Sequence, residues 1–177
     1  LKIKKNYCRM IKSTDFKKIN HEIFKYQFPI KSVNFLIKRY LNHPVFKYYY
    51  FAYFKNNKIE NIVILRIQKY RQYKVGRIVD FIGLQRNIVM FNNIFHNFIL
   101  SKNLEYIDFY SYGFSKYNLK KAGFFNKNSF KTLVLPNYFK PYYNENIELV
   151  VGVLSKEKIN INKLNYFKSD CDLDTPI

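Results

Sequence analysis

Two carboxylates stand out as residues that could do chemistry. Asp80 sits in Val79-Asp80-Phe81 and Asp108 in Ile107-Asp108-Phe109, matching settings in which one charge interrupts an apolar run. A buried carboxylate is costly without partners. If the two segments are neighbouring parallel strands, both side chains point to one cleft, where desolvation and like charge raise one pKa toward the general-base range. The alternative is structural: either Asp is bonded to a turn or paired with an Arg such as Arg77.

A second acidic group is Asp170, Asp172 and Asp174, which alternate like the first ligands of a calcium loop. The Gly and distal Glu of an EF-hand do not follow, so that reading is excluded. Three acids in five positions of a basic chain are uneven, and the expectation is that they fold back onto a basic cleft or bind a sugar hydroxyl, against the alternative of a solvated tail. Nucleophilic catalysis has no support: there is no Ser/His/Asp spacing or Gly-x-Ser-x-Gly elbow, and neither Cys8 nor Cys171 has a His nearby in sequence. Two Cys without a CxxC pair also argue against a disulfide framework and structural zinc, so a reducing compartment and no metal are expected. His21 and His96 read as solvated residues on polar helix faces.

The elements that must hold these residues follow from periodicity. Ser13-Thr14-Asp15 is N-cap chemistry for a helix burying Phe16, Ile19, Ile23 and Tyr26 and ended by Pro29, and Ser32 can cap a second helix carrying Val33, Leu36, Ile37, Tyr40 and Leu41. Strands are predicted at Tyr7 to Ile11, Phe46 to Phe54, Ile59 to Ile67 and Val75 to Ile82, with Lys55-Asn56-Asn57-Lys58 as a hairpin turn. Asn87 to Leu100 is an amphipathic helix, Glu105 to Tyr110 a strand, and Lys116 to Ala122 a short helix closed by Gly123. Two more strands are predicted at Phe130 to Leu135 and Ile147 to Val153. No linker or repeat divides the chain, so residues 1–177 read as one α/β domain with a mixed sheet, antiparallel in its N-terminal strands, parallel in a central pair and flanked by helices.

That order resembles a GNAT-type acyltransferase. Tyr7-Cys8-Arg9-Met10-Ile11 followed by Thr14-Asp15 is similar to the first strand and helix start of that fold, and Tyr117-Asn118-Leu119-Lys120-Lys121-Ala122-Gly123-Phe124 to its late helix and turn. More narrowly, Asn42-His43-Pro44, Val79-Asp80-Phe81-Ile82-Gly83, Tyr106-Ile107-Asp108-Phe109-Tyr110, Pro136-Asn137-Tyr138-Phe139 and the terminal Asp-x-Asp-x-Asp-x-Pro resemble GNAT-like proteins associated with bacterial surface-polysaccharide gene clusters.

The resemblance implies a site for acetyl-CoA or another acyl-CoA where two central strands splay apart, with a glycine-rich loop after the fourth strand holding the pyrophosphate. Here the corresponding stretch is Gly83-Leu84-Gln85-Arg86-Asn87-Ile88, which keeps only Gly83 of those glycines and leaves Gln85, Arg86 and the N–H groups near Asn87 to hold phosphate. The bland alternative is a helix-start loop with an exposed Arg. With their strand settings, Asp80 or Asp108 serves catalysis, as the base, or substrate binding, and by the resemblance Tyr117 is the acid that protonates the leaving thiolate and His43 a residue bordering the acceptor site. Their structural alternatives are packing beside Gly123 for Tyr117 and helix C-capping for His43. The implied activity is acyl-CoA-dependent N-acylation of an activated sugar or similar small molecule, a nucleotide-linked amino sugar being one such acceptor in polysaccharide biosynthesis.

Composition bounds these readings. The 177 residues include 31 Lys+Arg against 12 Asp+Glu, a formal charge of +19, with 17 Tyr and 18 Phe, so a large core can form and disorder is excluded as the main state. Arg occurs only at 9, 39, 66, 71, 77 and 86 and Ala only at 52 and 122, so much of the charge is a Lys-rich, AT-rich-codon background. A rival reading is a nucleic-acid binder using Lys69 to Lys74 and Lys116 to Lys121 among aromatics, but no RRM, KH or helix-turn-helix pattern is present. A third is a GNAT-shaped module without catalysis. No apolar stretch approaches the roughly 18 residues of a spanning helix, and the N-terminal residues lack a signal-peptide run, so a soluble cytoplasmic protein is expected.

Overall fold

The computed structural model describes residues 6–136 and 164–170, with 144–146, 152, 156 and 160. Among these, five strands form one sheet in the order β1 (Tyr7–Ile11), β2 (Tyr48–Lys55), β3 (Lys58–Tyr70), β4 (Tyr73–Gly83) and β5 (Ile107–Phe109). The first four are an antiparallel meander, and β5 joins β4 in parallel. Asn56 and Asn57 both take left-handed φ values of 51° and 64°, as a primed two-residue hairpin turn between β2 and β3 requires. Two short strands, β6 (Ser111–Tyr112) and β7 (Tyr166–Phe167), pair antiparallel beside this sheet.

The apolar run Ile62-Val63-Ile64-Leu65 on β3 feeds two layers. Ile62 and Ile64 pack with Phe16, Ile23, Leu36 and Tyr40 on one face, and Val63 and Leu65 with Ile88, Phe91, Phe95 and Phe98 on the other. Covering both faces explains why the central strands are apolar at consecutive positions instead of alternating. The first layer ends in α1 (Val33–Leu36), capped by the Ser32 side chain as expected and continued by a π-helical turn over Ile37–Leu41. The second contains α2 (Asn92–Lys102) and α3 (Lys116–Lys121), and Gly123 follows α3 with φ +88°.

Three expectations are corrected. The helix expected from Ser13 is two 3-10 segments, Ser13–Lys18 and His21–Tyr26, because the Asn20 N–H donates to the Ile59 carbonyl at 3.0 Å and its side chain starts the second segment. The helix expected from Asn87 opens as a 3-10 segment, Gln85–Phe91, and becomes α-helical only at Asn92. Phe130 to Leu135 is not a strand: Lys131 and Thr132 form a turn, and Phe130, Leu133 and Val134 stand exposed. The strand expected at Ile147 to Val153 lies outside the described residues. Conversely, the polar C-terminal stretch contains β7 and a 3-10 turn, Lys168–Asp170.

The end of β4 is fixed by one glycine. Gly83 has φ +105°, and a Cβ there would lie 2.5 Å from the Glu60 carbonyl oxygen and 2.4 Å from the Asn61 amide, which itself donates to the Ile82 and Leu84 carbonyls. Gly83→Ala is therefore expected to cost about 1–3 kcal/mol, read as a lower urea midpoint at unchanged slope.

Candidate functional site

Cross-strand register builds the site as two rows on one face of the sheet. Ile11, Tyr50, Ile64 and Asp80 are successive neighbours across β1 to β4, and Tyr48, Arg66, Arg77 and Asp108 across β2 to β5. Ile11, Tyr48, Tyr50 and Ile64 all pack into the layer of residues 11–41, so both carboxylates face that layer. Between the rows the register moves from Ile64 opposite Asp80 to Leu65 opposite Ile78, leaving Val79 as the extra residue of a β-bulge. Bulges re-aim side chains and occur beside active sites.

Asp80 is fully buried. Its Oδ1 accepts from Lys31 Nζ at 2.6 Å and its Oδ2 from the Tyr40 hydroxyl at 2.6 Å. Lys31 also meets Asp170 Oδ1 at 2.8 Å, with only 2% of its own side chain exposed. Asp170 in turn accepts from the Phe167 N–H at 2.9 Å. The C-terminal segment reaches this place because the Asn165 N–H donates to the Phe28 carbonyl, close before Lys31. One ammonium thus serves two carboxylates. Burial pushes the Asp170 carboxyl up, Lys31 opposes that, and the charge of Asp80 adds to it. Burial and the neighbouring Asp80 likewise raise the Tyr40 phenol well above its usual value, keeping it a donor.

Asp108 belongs to a different ion pair. Arg77 Nε lies 3.0 Å from its Oδ2, with Arg77 also donating to the Pro136 carbonyl. Burial pushes the Asp108 carboxyl up, while Arg77, Lys168 and Arg66 draw it down. The expected like-charge pair of Asp80 and Asp108 is therefore replaced by Asp80 and Asp170. The parallel register explains this, since it sets Asp108 opposite Arg77, three positions before Asp80.

The loop after β4 is largely tied into the scaffold. Gln85 Nε2 donates to the Gly113 carbonyl at 3.1 Å and to the Asn165 side chain, and its Oε1 accepts from the Ser115 N–H at 2.8 Å. Asn87 donates to Asn61 at 2.6 Å. Arg86 is exposed. Tyr117, on α3, is 65% exposed, with Lys121 Nζ 4.7 Å from its ring centre. His43 Nδ1 accepts from the Val45 and Phe46 N–H groups at 3.1 and 3.0 Å, so it caps its own Pro44 turn with the ring proton on Nε2. Asp172 and Asp174 lie outside the described residues.

Lys31 and Tyr40 carried no signal in the sequence. Lys31 is one lysine among many, and Tyr40 falls on the apolar face of its helix. Among the described residues no group of three or more His, Cys, Asp or Glu could hold a metal ion, and no helix is long and apolar enough to cross a membrane.

β4 and β5 pair only from Gly76 with Ile107 to Ile78 with Phe109. Beyond Tyr110 the chain turns to β6 and pairs with β7, so β4 from Val79 to Gly83 has no strand partner on that side among the described residues. The strands separate where the bulge and Asp80 lie.

No protein-family model and no curated protein sequence matches the chain. Solved structures similar in shape include two acetyltransferases. A GNAT family acetyltransferase from Staphylococcus aureus has 19% identity and a TM-score of 0.44, covering 58% of this chain and 83% of that one. An aminoglycoside acetyltransferase from an uncultured soil metagenomic sample, in complex with sisomicin, has 18% identity and a TM-score of 0.47, covering 86% of this chain and 97% of that one.

Removing the shared cation tests the cluster. Lys31→Met leaves two buried carboxylates uncompensated and is expected to cost about 3–5 kcal/mol at pH 7. The Asp170 carboxyl titrates above its unfolded value of 3.8, so its protonation favours the fold as pH falls through the raised value. Denaturation curves of variant and parent should therefore converge as pH approaches 4, and a deficit independent of pH would contradict the assignment.

Proposed function

We propose that the chain is an acyl-CoA-dependent N-acyltransferase acting on an amino group of a small molecule. The observation that carries this reading is the separation of the parallel strands β4 and β5 beside a β-bulge and a buried carboxylate pair. An acyl-CoA arm laid along the partnerless part of β4 would bring its thioester to the bulge, where strand N–H groups released from the ladder can stabilise an oxyanion. Arg86 and the loop backbone hold the pyrophosphate, while Gly83, Gln85 and Asn87 shape that loop.

In this reading the Asp80 and Asp170 pair takes the proton of the acceptor amine, with Lys31 and Tyr40 fixing both carboxylates. Asp108 holds β5 against β4 through Arg77. Tyr117 donates to the leaving thiolate; its helix is anchored to the end of β4 by the Gln85 to Ser115 bond. His43 shapes the loop bordering the acceptor, and Asp172 and Asp174 are assigned in this reading to binding a sugar hydroxyl. A nucleotide-linked amino sugar, as used in surface-polysaccharide biosynthesis, is the acceptor class this reading favours, and the protein is placed in the bacterial cytoplasm. A non-catalytic binding module is the second reading, favoured by the full engagement of both Asp80 oxygens.

Acetyl-CoA at 100 times its Kd should stabilise the fold by about 2.7 kcal/mol, and Arg86→Ala should weaken that binding about tenfold, roughly the worth of one charge-assisted hydrogen bond. A thermal shift unchanged at millimolar acetyl-CoA would favour the non-catalytic reading.

A further inference from the structure

A cavity of about 410 Å³ lies at the other end of the sheet, between the start of β2, the end of β3, the start of β4 and the C-terminus of α2. Its charged lining residues are Lys47, Arg66, Lys69, Lys74 and Lys102, and among the described residues no Asp or Glu lines it. Lys74 and Asp80 lie on one strand about 20 Å apart, so the cavity is distinct from the proposed acyl-transfer site.

The charges are arranged at a cost. Lys69 and Lys74 are direct cross-strand partners, and like charges so placed destabilise an antiparallel pair. α2 brings Lys102 to the same rim, its Nζ 5.8 Å from the Tyr49 ring centre. Arg66 is buried, its guanidinium 4.1 Å from the Phe46 ring centre. Among the described residues, Lys47, Lys69, Lys74 and Lys102 form no ion pairs. The acid closest in sequence, Glu105, donates its backbone N–H to the Lys74 carbonyl without such a pair.

We propose that this cavity binds a di- or oligophosphate of nucleotide size. A single phosphate cannot meet four lysines spread over three strands and a helix end, whereas a chain of phosphates can bridge Lys69 and Lys74 and relieve their repulsion. Tyr49 and the Arg66 guanidinium that covers Phe46 give the rim flat surface for a base, and the volume lies within the range of small-molecule sites. The phosphate chemistry is shared by a free or sugar-linked nucleotide and by the phosphorylated ADP portion of coenzyme A.

Calorimetric titrations of the parent chain and of the Lys69→Gln/Lys74→Gln double variant with pyrophosphate, ADP and coenzyme A separate these sources. The parent should bind ADP saturably, and the double variant at least tenfold more weakly. The unliganded double variant should melt no lower than the parent, since it loses only a repulsive pair. Coenzyme A binding that weakens in parallel assigns the phosphate to the coenzyme, and coenzyme A binding that is retained assigns it to a nucleotide; both support the site. An acetyl-CoA response is read separately, so its absence bears on the acyltransferase reading alone. No saturable binding of pyrophosphate or ADP at millimolar concentration, or equal ADP affinity in the double variant, would overturn the proposal. So would a single-stranded oligonucleotide binding more tightly than ADP with a steep salt dependence.

Discussion

One buried ammonium holds the described structure together at its most costly point. Lys31 meets Asp80 on β4 and Asp170 near the C-terminus, and Tyr40 completes the set from the π-helical turn. Each charge loses several kcal/mol of hydration on burial, which only close and well-directed partners recover. Three segments far apart in sequence must therefore arrive together. The bond from Asn165 to the Phe28 carbonyl and the packing of Phe167 on Phe109 guide the last of them. Replacing such a buried cluster by apolar residues of the same volume is often neutral or stabilising. What it supplies is registry: a one-residue slip of β4 would turn Asp80 into the aromatic layer around Phe81, Phe91 and Phe114.

Registry also decides what the two strand carboxylates can do. Both face one layer, but the bulge at Val79 and the short pairing of β5 divide them into separate ion pairs. Asp108, with Arg77 and two further cations acting on it, sits in surplus positive charge. Asp80 and Asp170, with one lysine between them, sit in surplus negative charge. Burial raises both the Asp108 and the Asp170 carboxyls, but the charges beside Asp108 oppose the rise while the charge of Asp80 adds to it at Asp170. The two strand carboxylates thus differ in the charges around each, although their sequence settings are nearly identical.

The sheet was legible where a local signal and tertiary need agreed. The Asn56-Asn57 turn, the apolar strands around it, the Ser32 cap and Gly123 are decided within a few residues, and the structure has them as expected. The segment from Ser13 was misread because its helical spacing was real but Asn20 is claimed by the edge of β3. Phe130 to Leu135 has strand composition without a strand to pair with among the described residues. At the site, Asp80, Asp108 and Asp170 were visible because acids are scarce in this chain. Lys31 was invisible for the opposite reason, and Tyr40 because a buried tyrosine and a core tyrosine share one periodicity.

The same contrast gives the excess charge a structural meaning. Asp15, Asp80, Asp108 and Asp170 are buried or nearly so, each in an ion pair. Committing scarce acids to such partners leaves few counter-charges for the other surface lysines, Lys18 and Lys25 being paired, whatever codon bias first supplied them. On a convex surface such lysines are simply solvated and screened within about 10 Å. Where β2, β3, β4 and α2 end together, the surface is concave and solvent screening is weaker, so the imbalance becomes a local field. A background of +19 can therefore be screened over most of the surface and concentrated at a cavity whose lining, among the described residues, holds five cations and no acid.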